Sequence, residues 1–134
     1  MDNLYSENIF YHYRNPKNYG KLNKADLSGE KRNASCGDRI IIQVKLKAEG
    51  TEGKIVEEVK FTGEGCVILI ASASMLTERA EGKTISELNK LKMEDITKML
   101  GIKLSYMRLK CALLPLEALQ NTLAHSTRLK ANPE

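Results

Sequence analysis

Four residues in this sequence could do chemistry together: Cys36, Asp38, Cys66 and Cys111. The thiolate is the form of cysteine that binds soft metals and acts as a nucleophile. Three thiolates and one carboxylate make a four-coordinate set for Zn²⁺ or for iron. The chain has three cysteines, so they cannot all pair with one another. They lie thirty and forty-five residues apart, which is not the spacing of a CxxC knuckle. Spacing alone leaves two readings open. One is a shared metal or cluster site; the other is three unconnected buried thiols acting as small hydrophobes.

The local settings sharpen the choice. In "NASCGDRIII" (33–42), Cys36 stands just before a strand-like run, Gly37 frees the backbone and Asp38 offers a hard oxygen. In "GEGC" (63–66), two glycines allow a sharp turn from a strand into a helix that starts at Val67. Cys66 is thereby expected at a helix N-terminus. Cys111 is four residues before Pro115. Proline has no amide hydrogen and clashes with the carbonyl four residues back, so it is at home in the first turn of a helix. The final helix is therefore expected to begin near Cys111, where the helix dipole would favour the thiolate. Lys110 reads either as a solvated lysine or as a second charge that acidifies the neighbouring thiol.

The elements that must hold these residues can be read from periodicity. Tyr5, Ile9, Phe10 and Tyr13 recur at helical spacing over 3–13, and Asn15-Pro16 should stop that helix. A polar, turn-rich connection follows. Residues 38–47 alternate, with Ile40, Ile42, Val44 and Leu46 on one face. Alternation resumes over 54–63, with Val59 and Phe61 inward, so the two segments predict an antiparallel hairpin. Residues 29–35 are expected to add a short edge strand. From Val67 the period becomes helical, with Ile68, Ala71, Ser72, Met75 and Arg79 on one side and Gly82 as the stop. Its β-branched start would also suit a strand. The small residues 71–74 suggest close packing against another element. Thr84 and Glu87 form a capping box, and "KMEDITKMLG" (92–101) predicts a further short helix closed by Gly101. Leu116, Leu119 and Leu123 mark the last helix, with a frayed tail at 126–134. The expected fold is α+β: a small antiparallel sheet of about three strands, helices packed on one face, and an N-terminal helix. One domain is expected over 1–134.

Composition removes several function classes. The net charge is +4 with basic residues scattered, aromatics are 5% and tryptophan is absent. A nucleic-acid surface needs a basic stripe or aromatic platforms, so nucleic acid is not the expected partner. No apolar run approaches the roughly 18 residues that suggest a membrane span, and "MDNLYSENIF" lacks the pattern of a signal peptide. A cytoplasmic location is expected. There "NAS" at 33–35 is not a glycosylation site, and structural disulfides are disfavoured.

With these motifs in hand, the chain resembles the IscU/SufU family of iron–sulfur cluster assembly scaffolds, which includes the N-terminal domain of NifU. "YHYRNPKNYG" (11–20), "ASCGD" (34–38), "GEGCVILIASASMLTE" (63–78), "GKT" (82–84) and "RLKCALLPLEAL" (108–119) carry the resemblance, over about residues 5–124. It implies that Cys36, Asp38, Cys66 and Cys111 form one site for a transient 2Fe–2S cluster or Zn²⁺. It also implies that thiols receive sulfur as persulfide from a cysteine desulfurase, that recipient apo iron–sulfur proteins take the product, and that Asp38 is a labile ligand. On loop freedom and helix position, Cys36 and Cys111 are the candidate persulfide acceptors, with Cys66 the least favoured. Two features depart from the IscU type. Lys110 stands where that type has histidine, and "IKLSYMRLK" (102–110) replaces its "LPPVK" segment. Both point toward the SufU type, a zinc-dependent sulfur relay, yet the insertion that type carries between the second and third cysteines is absent. A structural zinc domain is the remote alternative. His12 and His125 match no family ligand and read as ordinary helix and tail residues.

Overall fold

The structure is a computed structural model that describes residues 2–34, 37–48 and 53–131. Eight elements follow in order: α1 (Asp2–Arg14), β1 (Leu27–Asn33), β2 (Asp38–Ala48), β3 (Lys54–Glu64), α2 (Val67–Ala80), α3 (Ile85–Asn89), α4 (Met93–Leu100) and α5 (Tyr106–Ala131). The strands form one antiparallel sheet in the order β1-β2-β3. The α+β class and the N-terminal helix are as the sequence implies.

The sheet follows from alternation with one interruption. Ile40, Ile42 and Val44 are fully buried, as are Val59 and Phe61. Val56 is buried too, three residues before Val59 rather than two. A register shift at Lys45/Leu46 explains it: Val44 pairs with Val59 but Leu46 pairs with Val56, so β3 carries one extra residue. Such a bulge resets which face a strand presents. The edge strand runs over Leu27–Asn33, two residues earlier than expected.

α2 and α5 lie against the sheet, and α1 packs on α2. α2 is buried over Ile68–Thr77 on every side, so its apolar residues mark no single stripe. Ala71, Ser72, Ala73 and Ser74 let its neighbours approach closely. α5 comes equally close to β1, where any side chain at Gly29 would collide with Thr122.

α1 ends before Pro16, as expected. Ile9 and His12 point inward, while Tyr5, Phe10 and Tyr13 are exposed. The chain beyond it is latched rather than loose. Asn18 adopts φ +65, Phe61 N–H donates to Asn18 C=O, and Gly20 N–H donates to Phe61 C=O. The capping box at Thr84 and the left-handed Gly101 after α4 are present as read.

The last helix departs from expectation. α5 begins at Tyr106 and takes Pro115 into its interior. A proline there costs about 3 kcal/mol. Burial of Cys111, Leu114, Leu116, Leu119 and Leu123 along the same helix outweighs that cost, at about 1.5–3 kcal/mol for each large side chain. The helical backbone runs to Ala131, and residues 132–134 of the expected frayed tail lie outside the described residues.

Candidate metal centre

The ends of three elements converge on one spot. Asp38 is the first residue of β2, paired across the hairpin with Asn33, and it is buried. Gly37 precedes it in the left-handed region (φ +73), its N–H donating to Asn33 C=O at 2.9 Å. Cys66 is the N-cap of α2 with extended backbone (φ −79, ψ 174) and is half-buried. Cys111 sits in the second turn of α5 and is 5% exposed. A carboxylate oxygen of Asp38 and the sulfurs of Cys66 and Cys111 all lie within 4.8 Å of one another. Three of the four residues singled out from sequence are therefore together. Cys36, the fourth, lies outside the described residues.

The Cys111 thiol is held well above the usual thiol range. Burial is the main cause; hydrogen bonds with Asp38 and Cys66, and their nearby negative charge, push the same way. This corrects the expectation of an acidified thiol at a helix start. The dipole acts within the first turn, and α5 starts five residues before Cys111. Lys110 does not rescue the expectation. Its Nζ stands over the Tyr106 ring, 4.9 Å from the centroid.

The carboxylate of Asp38 is tightly held. A Cβ placed on Gly65 would come within 2.5 Å of Asp38 Oδ1 and of Leu69 Cδ2. The sequence marked Gly65 as a turn residue; its closer function is to leave room for this carboxylate. Asp38 Oδ2 is buried with no hydrogen-bond partner among the described residues. A buried acceptor left so costs about 1–3 kcal/mol. These features fit a cation. It would give Oδ2 a partner and deprotonate the thiols, since a coordinating metal overrides the local thiol pKa. Ligand atoms around tetrahedral zinc, with Zn–S of roughly 2.3 Å, are about 3.8 Å apart. A cluster within 4.8 Å is close to that arrangement.

Sequence reasoning missed the hydroxyls of α2. Ser72 Oγ donates to the Ala112 carbonyl at 2.7 Å, next to Cys111. Ser74 Oγ lies 2.7 Å from His12 Nδ1 and accepts from Lys17 N–H at 2.7 Å. Asn18 Nδ2 donates to Thr77 Oγ1 at 3.2 Å. His12, read as an ordinary helix residue, is part of this buried seam; His125 is exposed. The signal was available in principle, because hydroxyls on a helix with no solvent face must find partners.

Comparison with known proteins follows the same lines. The model of the NifU-like N-terminal domain matches residues 4–131. The zinc-dependent sulfurtransferase SufU of Bacillus subtilis is 36% identical, over 92% of this chain and 92% of its own. The iron–sulfur cluster assembly enzyme IscU of Drosophila melanogaster is 41% identical, over 90% of this chain and 77% of its own. The crystal structure of FiSufU from Fervidobacterium islandicum superposes with a TM-score of 0.71 at 28% identity, covering 87% of this chain and 94% of that one.

Proposed function

The chain belongs to the NifU-like N-terminal domain family, and from that premise we propose that it is an iron–sulfur cluster assembly scaffold. It accepts sulfur from a cysteine desulfurase, holds a nascent 2Fe–2S cluster as cargo, and passes it to recipient apo-proteins. Cys36, Asp38, Cys66 and Cys111 are the ligands. One observation carries this reading: Asp38, Cys66 and Cys111 converge within 4.8 Å, with a buried carboxylate oxygen that has no hydrogen-bond partner among the described residues.

Each residue has a role that its chemistry supports. Thiolates are soft ligands suited to iron–sulfur cargo and to zinc. The Asp38 carboxylate is harder and binds such cargo less tightly, which favours release. Sulfur arrives when a thiolate attacks the outer sulfur of the desulfurase persulfide; the new S–S bond forms as the old one breaks, and the desulfurase cysteine leaves as thiolate. Burial and a raised thiol pKa disfavour Cys111 for that attack. We therefore assign first acceptance to Cys36. Zinc, when bound, holds the thiols deprotonated.

The test is purification without oxygen, elemental analysis and an absorption spectrum, then reconstitution with a desulfurase, cysteine and ferrous iron. Cluster transfer is timed against an apo-ferredoxin. Loss of any one of the three thiols should abolish a transferable cluster, and Asp38→Ala should retain the cluster and slow its transfer. Wild-type protein that acquires neither zinc nor cluster would refute the reading.

A second reading has its own support. The ligand separation suits a single ion, and Lys110 stands beside Cys111 where IscU-type scaffolds have histidine. In that reading the chain is a zinc-dependent sulfur relay. It would keep its zinc while labelled sulfur moves from the desulfurase onto Cys36, and no cluster would form.

A further inference from the structure

The geometry points to Ser72 as a positioning residue for Cys111. This inference rests on the metal-centre reading above and adds what sets its dimensions. Ser72 is fully buried in α2, and its hydroxyl donates to the carbonyl of Ala112 in α5, also fully buried, at 2.7 Å. Ala112 is the residue after Cys111. Ser72 lies in the same helix whose N-cap is Cys66. One hydrogen bond therefore joins the two helices that deliver the two described thiols.

The bond falls where α5 is weakest. Pro115 has no N–H, so the carbonyl of Cys111 lacks the donor that a regular helix supplies four residues on. An interior proline loosens a helix at that point. Ser72 ties α5 from outside at the very next carbonyl. It sets the translation and phase of Cys111 relative to Cys66 and Asp38, and so the size of the ligand cluster. Groups behind metal ligands act in this way, and their loss typically lowers affinity about 10–100-fold.

α2 contains its own control. Ser74 is also fully buried, but its hydroxyl faces α1, toward His12 and the Lys17 amide. Removing the Ser72 hydroxyl breaks one bond and removing the Ser74 hydroxyl breaks two, in the same helix. Only the Ser72 bond leads to a thiol.

Full-length protein would be titrated with Co²⁺, and Zn²⁺ affinity read by chelator competition, alongside thermal melts. Ser72→Ala should fold, bind both metals about 10–100-fold more weakly, and shift the cobalt ligand-field and charge-transfer bands. Ser74→Ala should lower the melting temperature while leaving affinity and bands as in wild type. Ser72→Thr, which keeps the hydroxyl, should move both readouts back toward wild type. The proposal is overturned if Ser72→Ala binds as wild type does, or if the two alanine variants weaken binding alike. Failure of Ser72→Ala to fold would also overturn it, since the bond would then hold the fold and not the site. Failure of the metal-centre reading looks different: wild type binds no cobalt, or Cys66→Ser and Cys111→Ser retain it.

Discussion

Gly65→Ala tests the wedge that holds Asp38, and its magnitude can be worked from the contacts. The added Cβ would meet Asp38 Oδ1 and Leu69 Cδ2 at 2.5 Å each. Ordinary contact starts about 0.9 Å further out. Leu69 is fully buried and Asp38 nearly so, so neither can swing into solvent. Gly65 is not among the glycines with positive φ, so alanine meets no backbone strain and the cost is packing alone. Overpacking of this kind costs about 1–3 kcal/mol. At about 3–5 °C per kcal/mol for a chain of this size, the metal-free melting temperature should fall by roughly 3–15 °C. Displacing the carboxylate should also weaken zinc at least about tenfold by chelator competition. A double-mutant cycle separates the two contacts. Asp38→Ala removes the Oδ1 overlap and leaves the Leu69 overlap, so Gly65→Ala should cost about half as much in that background, a coupling on the order of 0.5–1.5 kcal/mol. Additive effects within about 0.3 kcal/mol would refute the wedge.

Two further outcomes follow from the buried groups. Burial holds the His12 pKa below its ordinary value, with Lys17 acting the same way and Glu78 opposing; the unfolded chain therefore takes up the proton first. The His12 contribution to stability should be flat above about pH 7 and decline below about 6.5, by at most about 1.4 kcal/mol per pH unit; His12→Gln should remove that slope in melts from pH 8 to 5, and an unchanged slope would refute it. In metal-free protein, Cys66 should alkylate with iodoacetamide faster than Cys111, because Cys111 is buried and its thiol is pushed up; mass mapping that finds Cys111 labelled first would contradict this.

Much of the frame was legible because it rests on local rules. Alternation located β2 and β3, the Thr84–Glu87 box located α3, and Gly101 closed α4. The misreadings arise where a distant residue decides. Nothing local to "KIVEEVK" reveals the bulge that turns Val56 inward, because a bulge is a property of pairing with Lys45 and Leu46. The spacing of Tyr5, Ile9, Phe10 and Tyr13 located α1 without fixing its inner face. That face uses Ile9 and His12, and Ser74 of α2 offers the imidazole a partner. At the site, Asp38 and Cys66 stand where strand and helix starts were read. Cys111 was read as part of the site but given the wrong local setting.

That error has one physical source. Local sterics treat Pro115 as a boundary, and by that rule Cys111 becomes a dipole-activated thiolate. The fold applies a different rule, because the interior of α5 has apolar burial on both sides of the proline. The helix therefore runs on toward its N-terminus by five residues and takes Cys111 out of reach of the dipole. What the thiol loses in helix charge it gains in neighbours, with Asp38 and Cys66 close enough to hydrogen-bond it. A lone thiol raised this way is inert. Here the raised Cys111 thiol stands with Cys66 and with an Asp38 oxygen that has no partner among the described residues, a set that a cation would draw together. The proline that misled the reading is thus consistent with the site. It leaves the helix short of one internal bond beside the ligand, and a hydroxyl from α2 is positioned at the adjacent carbonyl.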